Sequence, residues 1–216
     1  MQAPKTRRDE RSRRGLWLVL AALALAAVVG VAAFLLLRGG ESKDESVAEA
    51  MRAAGCTYRT FPGLAAGTHI SDPEATPEEW NSFPPTSGPH FGQWVIWGDY
   101  EEPVRLAEAV HNLEHGGIVM YYGDEVPDDQ VAAVRGFYRD DPSAMLLSPL
   151  PRLGDKVALT AWYAPSQEGE DQPADTSTGI LAECTQFDED AFETFRDAYR
   201  FQGPERIPPE SLQPGS

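Results

Sequence analysis

The sequence predicts an α+β protein, with one compact exported domain behind a single N-terminal transmembrane helix. We expect a small, mostly antiparallel sheet with flanking helices. Three observations lead to this class: a long uncharged segment near the N-terminus, helical and β-branched segments after it, and a cysteine near each end of the domain. The predicted regions are a cytoplasmic basic segment (1–14), the transmembrane helix (15–37), a linker (38–54), the extracytoplasmic domain (55–203) and a Pro-rich tail (204–216).

The segment from Gly15 to Leu37 contains no charged residue. As a helix it is about 34 Å long, which is enough to cross a hydrocarbon core of about 30 Å. A cleaved signal peptide is the alternative. Its apolar region usually has about 7–15 residues, and this one is longer, although small residues in it leave cleavage possible. We expect an uncleaved signal anchor.

Charge is distributed unevenly along the chain, which has a net charge of −16. Residues 1–40 carry seven Lys/Arg and two Asp/Glu, so the rest of the chain is strongly acidic. The basic cluster before the apolar segment favours a cytoplasmic N-terminus, with the C-terminal domain outside the cell membrane. An acidic domain repels phosphate backbones, so nucleic acid is excluded as a partner. Membrane lipid and a metal ion are the expected partners, and no protein partner is indicated.

The two cysteines, Cys56 and Cys184, both lie in the exported part. Two thiols outside the cytoplasm usually pair, so we expect a disulfide that ties the two ends of the domain together. A thiolate metal ligand or a redox pair is the alternative. The polar segment at residues 39–49 is typical of a short flexible tether.

The domain is predicted to alternate helices with strands. Apolar residues at helical spacing, followed by a glycine at Gly116, indicate a helix over residues 104–115. Similar patterns of helical spacing or of β-branched and aromatic residues predict four more elements. They are a strand at 117–122, a helix at 128–139, a strand at 157–163 and a helix at 188–201.

All four histidines of the chain, His69, His90, His111 and His115, fall within 47 residues. His111 and His115 are four residues apart, so a helix places both imidazoles on one face, where they can capture one ion. His90 ends a proline-rich loop that is stiff enough to hold it in place. His69 has little local context. Together the four rings offer four nitrogens to one transition-metal ion.

Two other functions remain open. His111-Asn-Leu-Glu-His115 matches the HxxEH motif of a class of zinc hydrolases, in which Glu114 would act as general base. Such a site needs a further acidic ligand, for which Glu183, Glu189 and Glu193 are loose candidates. In the leading hypothesis Glu114 instead orients a ligand or is an extra ligand. The third alternative is a metal-free cell-surface interaction domain with structural histidines.

The expected metal is copper or zinc, with copper slightly favoured. Imidazole suits both ions, and a thioether from Met120 or Met145 would favour Cu(I). Core filling is the favoured interpretation of both methionines. The aromatic run Trp94, Trp97 and Tyr100 is expected to belong mainly to the core, with a pocket wall as the alternative.

At these residues the chain resembles an uncharacterised bacterial family of membrane-anchored proteins, known only as a domain of unknown function. The resemblance covers about residues 55–203 and implies a single exported domain behind one N-terminal helix, with no established activity. The segments that carry it are Pro84-Pro-Thr-Ser-Gly-Pro-His90, Trp94 with Gly98 and Tyr100, His111-Asn-Leu-Glu-His-Gly116, the upstream His69, and the stretch from Ser148-Pro149 to Val157-Ala-Leu-Thr-Ala-Trp162.

Overall fold

The computed structural model describes residues 43–165 and 176–216. No helix among them is long and apolar enough to cross a lipid bilayer. The predicted transmembrane helix (15–37) and basic segment (1–14) lie outside these residues. The elements are α1 (Lys43–Ala53), β1 (Thr57–Pro62), β2 (His69–Ile70), β3 (His90–Phe91), α2 (Leu106–Glu114), β4 (Ile118–Tyr122), α3 (Asp128–Asp140), β5 (Met145–Pro149), β6 (Val157–Tyr163), β7 (Thr178–Cys184) and α4 (Glu189–Tyr199).

Five strands form the main sheet in the order β1-β7-β6-β4-β5. Every neighbouring pair is antiparallel except β4 and β5, which are parallel and joined through α3. The predicted α+β class and mostly antiparallel sheet are therefore confirmed. The short strands β2 and β3 pair in parallel as a separate two-stranded unit.

The alternation of side chains along the strands divides the core into two clusters. Helices α1, α3 and α4 cover one face of the sheet through Met51, Phe137 and Phe192. Helix α2 covers the other face through Val110 and Leu113. The two-stranded unit and α2 lie on this second side, and the histidines are found there.

The five predicted elements are all present, within a few residues at their ends. The sequence analysis did not identify three strands of the main sheet. Strands β5 and β7 carry no clear alternation because both of their faces are covered, and β1 is a largely exposed edge strand.

Helix α1 occupies residues 43–53 of the predicted linker (38–54), so the flexible tether predicted at 39–49 is wrong for residues 43–49. Its residues Val47, Ala48 and Met51 recur at helical spacing and are buried against the core. The acidic residues Asp44 and Glu45 in the first turn also suit the helix dipole. Helix α1 is thus part of the compact unit, which runs from Asp44 to Ser216.

Cys56 and Cys184 form the predicted disulfide. It joins the start of β1 to the end of β7, on the same face of the sheet as α1. The tail after Gly203 is irregular, as expected, but it packs on the domain. Leu212 is buried in the second cluster, and Ser216 pairs its carbonyl with the N–H of Trp97. The domain therefore extends beyond the predicted limit at residue 203.

Candidate metal centre

The C-terminal end of α2 supplies three side chains of the centre. His111, Glu114 and His115 project from its last turn, and all three are buried. The His111 and His115 rings lie 4.6 Å apart between centroids. Gly116 has a φ of +83° and ends the helix at once, as its position in the sequence predicts. The chain then enters β4, so this helix end is fixed within the core.

The proline loop delivers His90 to the same place. Residues 84–88 are buried, and the Trp80 indole N–H donates to the carbonyl of Pro89 at 3.0 Å. Gly88 has a φ of +111°, and a side chain there would meet Leu64 at 2.6 Å. His90 itself is completely buried. The loop therefore holds this imidazole rigidly, as the sequence analysis expects.

His69 reaches the cluster through the pairing of β2 with β3, in which His69 and His90 are register partners. Its ring centroid is 5.0 Å from that of His90 and 5.2 Å from that of His111. Unlike the other three histidines, His69 is exposed. It forms the solvent side of the cluster.

Backbone carbonyls fix two of the rings so that their Nε2 atoms are free. The Nδ1 of His90 lies 2.8 Å from the carbonyl of Gly88, and the Nδ1 of His111 lies 2.8 Å from that of Phe91. Because a carbonyl only accepts, each Nδ1 carries a proton, and each neutral ring presents the lone pair of Nε2. Histidines that bind metals in proteins usually donate their other N–H in this way.

Glu114 places a carboxylate among these nitrogens. One oxygen accepts the backbone N–H of Gly67 at 2.5 Å, and the other lies 3.0 Å from Nε2 of His90. The second contact lacks hydrogen-bond geometry, so both atoms are buried without a hydrogen-bond partner. Two electron-rich atoms at this distance are arranged like neighbouring ligands of one cation. Glu114 is thus a member of the donor cluster.

A second carboxylate comes from the tail. Oε2 of Glu205 is 3.1 Å from Nε2 of His115, which in turn is 3.1 Å from Nε2 of His111. The backbone N–H of Glu205 donates to the carbonyl of Glu114, which fixes the tail beside α2. Gly203 permits this approach, since a Cβ there would lie 2.2 Å from the amide nitrogen of Gly116.

The sequence analysis missed Glu205 and named three other carboxylates. Glu183 pairs with Arg59 and Lys156, and Glu193 pairs with Arg196. Glu189 lies in the first turn of α4. No periodic pattern surrounds Glu205, so only the folded tail identifies it.

The donor atoms form two overlapping sets of four, in each of which all atoms lie within 4.8 Å of one another. The first set is His69, His90, His111 and Glu114. The second set is His111, Glu114, His115 and Glu205. The predicted group of four histidines is therefore divided, because His115 falls in the second set and His69 and His90 fall in the first.

Burial and the nearby carboxylates act in opposite directions on the ionisable groups. Burial lowers the pKa of His111 and of His115, which favours neutral imidazoles. Burial also lowers the pKa of His90, but the Glu114 carboxylate outweighs it, so that this pKa is raised overall. Burial raises the pKa of Glu114, yet His90 and the Gly67 N–H hold it below its usual value. An ionised glutamate and neutral imidazoles are the forms that bind metal ions, so a metal ion at His90 must displace the proton that the raised pKa favours there.

One of the three aromatic residues forms a wall of the centre. Trp94 is 41% exposed and lies edge-on to His111 and His115, with ring centroids 5.6 and 4.9 Å away. For Trp94 the expectation of a core position is wrong, whereas Trp97 is buried in the second cluster. Tyr100 is half-buried against the same cluster.

Met120 and Met145 are not ligands of this centre. Both are completely buried in the first cluster, under α1, α3 and α4. The centre lies on the opposite face, where His90 contacts the ring of Trp162. The alternation of β4 and β5 puts the two thioethers on the wrong side of the sheet, so the suggested methionine ligands are wrong.

Fold and centre together define an α+β domain with a buried histidine–carboxylate cluster that can hold a metal ion. The chain belongs to the family described as Protein of unknown function (DUF3105), which matches residues 73–211. This confirms the resemblance to a domain of unknown function. No curated protein and no solved structure matches the chain. The matched residues include both carboxylates of the cluster and every histidine except His69.

Proposed function

We propose that this chain is a membrane-tethered, extracytoplasmic protein that binds transition metal at the histidine–carboxylate cluster. The observation that carries the proposal is the contact between Nε2 of His90 and Oε2 of Glu114, 3.0 Å apart and both buried without a hydrogen-bond partner. Burying two such atoms face to face is unfavourable unless a positive charge lies between them, either a metal ion or the proton of an imidazolium, and the convergence of six donor side chains here favours the metal ion. The carbonyls of Gly88 and Phe91 direct the rings as a metal site requires.

The donor chemistry favours a divalent ion. Imidazole and carboxylate together suit Zn²⁺ and Cu²⁺, and also Fe²⁺ and Ni²⁺. Soft thioether ligands, which would favour Cu(I), are excluded for Met120 and Met145 by their position across the sheet. The sequence analysis favoured copper slightly, and this preference loses the support of these thioethers. Zn²⁺ and Cu²⁺ are the two ions to compare.

The location is supported by the sequence and by the disulfide. Residues 15–37 are uncharged and follow a basic segment, which favours a single span with the domain outside. The Cys56–Cys184 disulfide is typical of an oxidising compartment. The strongly acidic exported part would raise the local concentration of cations around the site.

We assign no reaction to the centre. A general base in a zinc hydrolase must face the water at an open position of the ion. Glu114 instead faces His90 and the Gly67 N–H, in the position of a ligand. The hydrolase alternative therefore gains no support from the site.

The test is elemental analysis of the full-length chain, purified in detergent with a tag that contains no histidine. We expect the wild type to retain a transition metal after gel filtration. His111→Ala/His115→Ala should lose at least half of that metal, and the shape-conserving Glu114→Gln, whose carboxylate is common to both donor sets, should lose at least 90% of it. Glu210→Gln, which changes an exposed glutamate of the tail, is the matched control and should retain it. Equal metal in all four proteins would overturn the proposal.

A further inference from the structure

We propose that the centre holds two metal ions bridged by Glu114, an inference that rests on the proposed metal-binding function. Six side chains converge here, more than the four ligands that Zn²⁺ usually takes. Bonds from Zn²⁺ to nitrogen or oxygen are about 2.0–2.2 Å long, so two donors of one ion lie at most about 4.4 Å apart. The six donors satisfy a limit of 4.8 Å only as two overlapping sets of four, which share His111 and Glu114.

His111 can serve only one of the two ions. Its Nδ1 donates to the carbonyl of Phe91, which leaves Nε2 as its single free nitrogen. That nitrogen lies 3.1 Å from Nε2 of His115, so His111 belongs with His115. Glu205, 3.1 Å from His115, completes this group.

Glu114 is the remaining member common to both sets, and its two oxygens allow it to serve both ions. His69, His90 and Glu114 then bind the first ion, and His111, His115, Glu205 and Glu114 bind the second. Two-metal sites in proteins usually hold their ions about 3.5–4 Å apart, a spacing that a bridging carboxylate spans.

The first ion has three protein donors and is the more accessible, because its ligand His69 is exposed. Three protein ligands leave a position for water or for another small ligand. Two divalent ions also carry four positive charges against two carboxylates. The surplus charge favours an anionic ligand, such as hydroxide, at that open position.

Each ion has a ligand that the other does not use and that lies at the surface. His69 belongs to the first set alone, and Glu205, whose side chain is 56% exposed, belongs to the second set alone. Truncating an exposed side chain seldom unfolds a protein. His69→Ala and Glu205→Gln therefore remove one ion at a time from a folded chain.

The experiment is equilibrium dialysis of the metal-stripped full-length chain against Zn²⁺, followed by elemental analysis. The wild type should bind two ions per chain, and His69→Ala and Glu205→Gln should bind one each. The control Glu210→Gln should bind two. One ion in the wild type would overturn the two-ion centre but leave the proposed function intact, whereas no ion would overturn both. Loss of both ions from either single variant would overturn the division of ligands.

Paramagnetic resonance of the Cu²⁺-loaded chain tests the bridge. Two Cu²⁺ ions that share Glu114 should be spin-coupled, so the wild type should show well under half the signal intensity expected from its copper content. His69→Ala, with one Cu²⁺, should show the full intensity for its content. Full intensity from a wild type that holds two ions would overturn the bridge.

Discussion

At the scale of single residues, Asn112 shows how a side chain outside the donor set supports the centre. It lies between His111 and Leu113 on α2 and is completely buried. Its amide accepts the backbone N–H of Val95 at 2.9 Å and donates to the carbonyl of the same residue at 2.8 Å. These two hydrogen bonds to Val95 hold the neighbouring Trp94 against the rings of the centre.

Asn112→Ala should destabilise the fold by about 2–3 kcal/mol, because it leaves a buried N–H and a buried carbonyl of Val95 without partners. Chemical unfolding followed by fluorescence measures the change. Asn81→Ala is the matched control, because Asn81 is exposed and its side-chain amide donates one hydrogen bond to the carbonyl of Pro62. Asn81→Ala should lower the free energy of unfolding by less than about 0.5 kcal/mol. Equal effects of the two substitutions would contradict the role given to Asn112.

At the scale of elements, the centre depends on the contact between the end of α2 and the tail. The Phe201 N–H donates to the carbonyl of Gly116, and the Glu205 N–H donates to that of Glu114. Gly203 lies between them, with no room for a side chain. A short stretch of irregular chain therefore sets the position of Glu205.

Gly203→Ala should displace the tail, because the added Cβ would lie 2.2 Å from a backbone nitrogen and 2.3 Å from the carbonyl oxygen of Glu114. We expect lower stability and weaker binding of the ion held by Glu205. Gly136→Ala is the control: nothing lies within 4 Å of its Cβ in the middle of α3. That change should stabilise the chain by about 0.5–1 kcal/mol. Thermal unfolding of both variants measures the change in stability, and metal analysis measures the change in binding.

The elements also show what the sequence can and cannot predict. The helix, glycine and strand around His111 and His115 follow from local periodicity, and the prolines before His90 indicate a rigid loop. Helix α1 was missed because three apolar residues in a polar stretch gain their burial only from the folded sheet. Glu205 was missed because its position depends on contacts with residues about 90 positions earlier in the chain. Local patterns carry no information on such contacts.

At the scale of the whole molecule, the disulfide and the metal centre lie on opposite sides of the sheet. The disulfide packs with the first cluster, beneath α1 and α4. The centre lies with the second cluster, beside α2. A change on the disulfide side should therefore alter global stability and leave the geometry of the donors intact.

Cys56→Ser/Cys184→Ser should lower the free energy of unfolding by about 4–5 kcal/mol, because the disulfide links residues 128 positions apart. The folded variant should still bind the same amount of metal at low temperature. Denaturant unfolding and elemental analysis of one preparation measure both quantities. A loss below about 1 kcal/mol would contradict the stabilising role, and loss of metal from a folded variant would contradict the separation.

The central claim is that the buried nitrogens and carboxylates around Glu114 hold metal, and anomalous X-ray diffraction from zinc-loaded crystals tests it most directly. The account predicts anomalous density between Nε2 of His90 and Oε2 of Glu114, about 2.0–2.2 Å from each. It also predicts a second peak near Nε2 of His115. Zinc-loaded crystals in which the rings keep their positions and no anomalous density lies within the cluster would contradict it.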